Sequence, residues 1–402
     1  MKKFSMLLTI VLGISLICAF AGPKTVKGKA AFVPGEVIVK FADSANKTDI
    51  KGRYSLTKLR DSHKPGAFTV FGHGNPTAIL KQLKNEPGVL SAEQNGYSYA
   101  LAVPNDTYYS PYQWHMTRIG MEAAWDITTG SSSVVVAVVD SGVKQSLEDL
   151  SGTTFMAGYD FVNGDSDPTD DEGHGSHVCG TIAQTTNNNT GCVGIAYNTT
   201  IMPVKVLNKR GSGTWDQIAN GIYYAADNGA HIINMSLGGG YSTLIDDACT
   251  YAWNNGVLII CAAGNSSTSD PMYPAAQPLC VSVSATNYLD ELAGYSNYGS
   301  TIDICAPGGD GDDNNGDGYM DGVLQNTFLR RTEGYYFYTG TSMASPHVAG
   351  VAALVKAVNS SLTNTQIRSI LEGTAEDLGA SGWDQYFGHG IVDALAAVQA
   401  AQ

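Results

Sequence analysis

The chain has 402 residues, 43% hydrophobic and 15% charged, with a net charge of −14. The charge is split: residues 23–103 carry twelve Lys and Arg against six Asp and Glu, and residues 104–402 carry nine against 31. So acidic a body repels phosphate and disfavours a nucleic-acid role, and its roughly 300 residues suffice for one large domain.

The first segment reads as a secretory signal over 1–21. Lys2 and Lys3 form its charged start, Met6 to Cys18 its apolar centre, and Ala19-Phe20-Ala21 a small-residue cleavage site. The run is too short for a membrane span. The expectation is a secreted, extracellular protein with no membrane attachment once the signal is removed. In the basic segment that follows, Pro34 to Phe41 alternates as a strand, Ala78 to Asn85 has helical spacing, and Val89 to Glu93 forms another strand. This is a small α+β unit spanning 22–103.

Residues 104–402 open a different pattern. Val134 to Val139 is an unbroken apolar run that ends in Asp140. Such a run suits a parallel strand covered on both faces, with Asp140 at its carboxyl end, where open α/β sheets keep their sites. Asp160, Asp165, Asp167, Asp170, Asp171 and Glu172 crowd the next loop. Like charges at that density are either screened by water and salt or gathered on a hard cation. Gly173-His174-Gly175-Ser176-His177-Val178-Cys179-Gly180 then places His174 at the start of a small-residue helix.

A second acidic stretch, Asp313-x-Asn315-x-Asp317-Gly318 with Asp321 at the ninth position, follows the start of an EF-hand loop. Its twelfth position is Leu324 instead of glutamate, so both a calcium loop and a solvated acidic loop are open. Next comes Gly340-Thr341-Ser342-Met343-Ala344-Ser345-Pro346-His347, running into the apolar Val351 to Val355. Ser342 therefore sits at the N-terminus of a buried helix, where free N–H groups and the helix dipole favour an oxyanion. Pro346 is expected in the first turn, which tolerates proline. Ser345 reads as a packing or capping hydroxyl.

Six cysteines follow the signal: 179, 192, 249, 261, 280 and 305. Secretion permits disulfides, and sequence does not choose among the pairings. Cys249 with Cys280, and Cys179 with Cys192, are candidate pairs. Cys261 and Cys305 lie in apolar strands, where a thiol can simply pack.

A serine hydroxyl is a poor nucleophile until a base takes its proton. Asp140, His174 and Ser342 supply, in that order, the orienting acid, the base and the nucleophile, the chain order of subtilisin. Two other classes compete. His174-x-x-His177-x-Cys179 has metal-ligand spacing, but the glutamate of an HExxH site is absent and His177 reads as a core residue. An inactive peptide binder would not need all three side chains.

On these three motifs the chain resembles the subtilisin-like serine proteases, the subtilases, and in Pro104 to Tyr109 their thermitase-like branch. The resemblance implies an α/β fold, a mostly parallel central sheet with helices on both faces, preceded by an inhibitor-like propeptide over 22–103. That propeptide would act as an intramolecular inhibitor until cut near Leu101 to Asn105. The implied activity is serine endopeptidase, acting as a monomer on protein or peptide substrates. Asn265, after the strand Val257 to Ile260, is implied as oxyanion donor. Ser236, Leu237 and Gly238 are implied to form one edge of the substrate cleft, Gly213 and Trp215 the other, and Ala262 and Gly264 the pocket wall beside Met272. None of these walls carries a carboxylate, so an apolar or aromatic residue is expected before the cut. Structural calcium is implied at Asp106, Asp149, Thr185, Asn188, Thr190 and Cys192, and at Asp160, Asp165 and Asp167.

Overall fold

In the computed structural model, which describes residues 32–96 and 103–402, the chain divides into two units, Met1–Ala100 and Leu101–Gln402. The expected signal over 1–21 lies outside the described residues. Among the described residues no helix is long and apolar enough to cross a membrane.

The first unit contains β1 (Phe32–Phe41), α1 (Lys47–Arg53), β2 (Thr57–Asp61), β3 (Thr69–Gly72), α2 (Pro76–Leu83) and β4 (Val89–Gly96). Its strands form an antiparallel sheet in the order β2-β3-β1-β4. Alternation along β1 turns Val37, Val39 and Phe41 inward, onto Ile50 of α1 and Ile79 and Leu83 of α2. Asparagines begin both helices: Asn46 accepts from the N–H of Asp49, and Asn75 from that of Ala78. The Asn75-Pro76 cap starts α2 two residues earlier than its apolar spacing indicates.

The second unit begins with the short helices α3 (Tyr109–Tyr112), α4 (Trp114–Arg118) and α5 (Met121–Trp125). Then follow β5 (Val135–Asp140), β6 (Thr154–Phe155), β7 (Tyr159–Asp160), α6 (His174–Ala183), β8 (Thr200–Lys205), α7 (Trp215–Asp227), β9 (Ile232–Met235), α8 (Thr243–Asn254) and β10 (Leu258–Ala262). The rest is β11 (Cys280–Thr286), β12 (Ile304–Pro307), β13 (Val323–Leu329), β14 (Thr332–Tyr338), α9 (Thr341–Val358), α10 (Asn364–Thr374) and α11 (Ala394–Ala400).

A parallel sheet in the order β12-β11-β10-β9-β5-β8-β6, with β7 also paired to β8, forms the middle layer. Both faces are covered, which is why β5 reads as a continuous apolar run. Val136 and Val138 pack into the core that holds α6 and α9, and Ala137 and Val139 into the core that holds α7 and α8. Each such valine contributes about 1.5–3 kcal/mol by leaving water. From Met343 to Val355 every residue of α9 is buried, so the helix is enclosed on all sides. β13 and β14 form an antiparallel hairpin that leads into Gly340 and Ser342.

All six cysteines are buried and free, so neither candidate disulfide is formed. The thiols of Cys249, Cys261 and Cys280 instead pack against one another between α8, β10 and β11. The sequence places them near one another but does not set their register.

Candidate active site

The carboxyl ends of β5, β9 and β10 deliver Asp140, Ser236 and Asn265 to one edge of the sheet. Asp140 ends β5 fully buried. Its Oδ1 accepts the His174 Nδ1–H at 2.8 Å and the Ser141 N–H at 2.7 Å. The acid-rich loop before His174 has a local purpose. Asp170 accepts the N–H groups of Glu172, Gly173 and Ser176 and the hydroxyls of Ser141 and Ser176, which fixes the start of α6. Lys205, 1% exposed, donates to the carbonyls of Ser141 and Leu207 and to Asp171, tying the loop to β8. Burial disfavours the His174 imidazolium. The Asp140 charge and hydrogen bond, with Glu172 and Asp170 beyond, outweigh that and raise its pKa to about 9.

Ser342 is the second residue of α9. Its hydroxyl donates to the Ser236 carbonyl at 3.2 Å rather than to His174; catalytic hydrogen bonds are often loose until substrate binds. Asn265 is oriented by the neighbouring Thr341: its Oδ1 accepts both the N–H and the hydroxyl of Thr341 at 2.8 Å. That leaves the Asn265 amide N–H groups free to donate. Ser236, Leu237 and Gly238 are a shared wall. On one side lies a cleft of about 370 Å³ that reaches Glu172, His174 and Gly213. On the other lies a pocket of about 300 Å³ bounded by Ala262, Gly264, Asn265, Met272 and Ser342. A Cβ on Gly238 would sit 2.6 Å from Met272 Sδ, and one on Gly264 2.7 Å from it, so Met272 fills the pocket floor because both positions are glycine. Trp215 opens α7 and is exposed.

Residues 131–390 match the Subtilase family, Peptidase S8, and residues 19–95 match the Fervidolysin N-terminal prodomain. The chain is a subtilase. It is 41% identical to a thermophilic serine proteinase of Bacillus sp. (strain AK1) over 94% of this chain and 92% of the relative. It is also 42% identical to thermitase of Thermoactinomyces vulgaris, over 74% of this chain and 99% of the relative. A solved protease from Pseudoalteromonas arctica superposes with a TM-score of 0.68 at 36% identity, covering 75% of this chain and all of that one. This subtilase is thus a serine endopeptidase with an N-terminal prodomain, and its central sheet has the subtilisin-like arrangement.

Of the three acidic groups read from the sequence, the structure draws one together. Asp106 and Asp149 are both buried. Asp149 accepts the Asn188 amide at 2.7 Å and the Cys192 N–H at 2.8 Å, and the Asn188 Oδ1 accepts the Thr190 N–H. Thr185 N–H donates to the Asp149 carbonyl. Burial raises Asp149 to about 7 against the pull of Asn188 and Cys192, and Asp106 Oδ1 is buried without a partner. Two buried carboxylates, one with an unused oxygen, fit a hard oxygen-seeking cation.

The other two groups turn onto their own backbones. Asp160 accepts the N–H groups of Val162 and Asn163 and the Asn163 amide; Asp165 accepts the N–H of Asp167, and Asp167 accepts from Thr169. Asp313 accepts the N–H groups of Gly316, Asp317 and Gly318, and Asn315 accepts that of Asp317; the buried Asp321 accepts that of Asn314 through one oxygen and keeps the other, Oδ1, without a partner. Among the described residues no three His, Cys, Asp or Glu side chains converge as a metal site.

His177 belongs to the core: its Nε2–H faces the carbonyls of Val323 and Tyr336, and burial lowers its pKa to about 3. The roles of Thr341, Lys205 and Asp170 were missed in the sequence. Asp170 showed there only as one of the crowded loop acids, and Lys205 as a charge closing an apolar strand.

Proposed function

We propose that this subtilase cuts peptide bonds through Asp140, His174 and Ser342. Ser342 Oγ attacks the peptide carbonyl, and His174 takes its proton and returns it to the leaving amine. Asp140 holds the imidazole tautomer and favours its charged form. The Asn265 amide and the Ser342 N–H receive the oxyanion, a contribution of about 2.7–4 kcal/mol per donor where measured in subtilisin. The observation that carries this reading is the 2.8 Å Asp140–His174 pair, in a cleft that shares its Ser236–Gly238 lining with the pocket of a serine at a helix N-terminus.

Extended substrate would pair with Ser236–Gly238 on one side and the Gly213 edge on the other, as an added strand. The residue before the cut would enter the pocket floored by Met272. No carboxylate lines that pocket, so an apolar or aromatic side chain suits it and an unpaired Lys or Arg does not. The chain is read as a secreted monomer, with residues 1–21 as its signal and 22–103 as a propeptide that inhibits residues 104–402 until removed. Calcium is assigned first to Asp106, Asp149, Thr185, Asn188, Thr190 and Cys192. There it would offset the repulsion of two buried carboxylates and stabilise the fold without entering catalysis.

A peptide library tests the reading. The native chain should cut after apolar or aromatic residues, and Ser342→Ala should cut nothing and keep its propeptide. Cleavage by that variant would refute the nucleophile, and a profile dominated by Lys or Arg would refute the pocket assignment.

A further inference from the structure

Pro346 does not fall in the first turn of its helix. α9 starts at Thr341, so Pro346 is its sixth residue and lies inside it. An ordinary residue there would donate its N–H to the carbonyl four residues back, which is that of Ser342. Proline has no N–H to give. The Ser236 hydroxyl supplies the donor instead, 2.8 Å from the Ser342 carbonyl oxygen.

Behind Ser236 the chain of hydrogen bonds continues. Asn234, on β9, donates its amide to Ser236 Oγ at 3.0 Å. The Asn234 Oδ1 in turn accepts the Ser345 hydroxyl at 2.7 Å. Asn234 and Ser345 are fully buried and Ser236 is 4% exposed. A hydroxyl has one proton; with Asn234 donating to its oxygen, that of Ser236 is committed to Ser342. The Ser342 hydroxyl donates back to the Ser236 carbonyl, so the two serines are joined by a reciprocal pair of bonds.

We infer that Ser236 and Asn234 are positioning residues for Ser342: they replace, from the sheet, the helical hydrogen bond that Pro346 removes. The Ser236 donor fixes the plane of the Ser342–Met343 peptide and with it the backbone torsion that aims Oγ. The nucleophile is thereby referenced to β9, the strand that continues into the substrate wall, instead of to its own helix. Ser345, three residues beyond the nucleophile, is the far anchor of this chain. The inference rests on the proposal that Ser342 is the nucleophile.

The test uses the mature enzyme, with active sites counted by a serine-directed acylating inhibitor and kcat expressed per titrated site. Ser236→Ala should lower that kcat about tenfold, the factor equivalent to about 1.4 kcal/mol, with KM unchanged. Ser236→Thr, which keeps a hydroxyl, should restore most of it. Pro346→Ala returns an N–H to the helix, so in that background the Ser236→Ala loss should shrink to about twofold or less, a coupling that a purely structural role would not produce. If Ser236→Ala alone fails to mature, recovery of maturation by adding Pro346→Ala supports the inference equally. An unchanged kcat per site in Ser236→Ala, an equal loss with and without Pro346, or a double variant that also fails to mature overturns it. An enzyme whose activity survives without a titratable serine overturns the nucleophile reading as well, so the two failures are distinguishable.

Discussion

Around His174, burial and charge act in opposite directions, and charge prevails. Its pKa stands at about 9 against an ordinary 6.5. As the proposed base, His174 would have to be neutral to take the Ser342 proton, so kcat/KM should rise with pH through a midpoint above 6.5. Asp140→Asn removes the first favourable charge and should move that midpoint down while lowering kcat severely. The sign for stability is opposite. A raised histidine pKa means that the pair with Asp140 stabilises the fold fully below about 6.5 and loses that contribution as pH rises through about 9. A pH–rate profile with its midpoint at or below 6.5 would contradict this account. Asn265 belongs to the same argument. Its carbonyl is occupied by Thr341, so Asn265→Ala should cost kcat far more than it raises KM if, as proposed, the free amide acts in the transition state.

The turn from Thr185 to Cys192 shows what a loop can store. Asn187 and Asn189 adopt left-handed φ values of 62° and 63°, and the bend holds Asp106 and Asp149 in the same buried region. Asp149 at about 7, against an ordinary 3.8, destabilises the ion-free fold progressively as pH rises through that interval, since the unfolded chain gives up its proton first. Calcium needs the ionised carboxylate and reverses the trend. Its stabilisation, about 2.7 kcal/mol at a hundredfold excess over Kd, should therefore be larger at pH 8 than at pH 5. Melting curves with calcium and with chelator at the two values check this. Asp106→Ala should remove most of the difference, because Asp106 ties the start of this unit to the turn. Equal melting temperatures at pH 8 would defeat the assignment. The contrast with the 160–167 loop is physical: its carboxylates already accept several backbone N–H groups, so a cation has less to offer them.

The uneven charge of the chain follows its division into units, with the basic residues concentrated before Val103 and the acidic ones after it. Maturation should cut between them, and the N-terminal sequence of the processed product should begin between Leu101 and Asn105. A start within the first unit, or an active product that retains it, would refute the propeptide reading. The elements around Asp140, His174 and Ser342 were legible in the sequence for local reasons. A buried parallel strand must be apolar throughout, small residues must open a helix packed against another, and the apolar run Val351 to Val355 of α9 must lie inside. The α2 boundary and the disulfides were not legible at that level. A cap moved the one, and thiol geometry set by strand register decided the other. Pro346 marks the limit most clearly. Local rules place it in a first turn, where nothing is lost. It stands deeper in the helix because Ser236 and Asn234, more than a hundred residues earlier in the chain, bring a donor to the carbonyl it leaves bare. Patterning along the chain determines which faces are buried and which residues end the strands. Which distant side chain satisfies a given polar group depends on packing in three dimensions, and only the folded structure decides that.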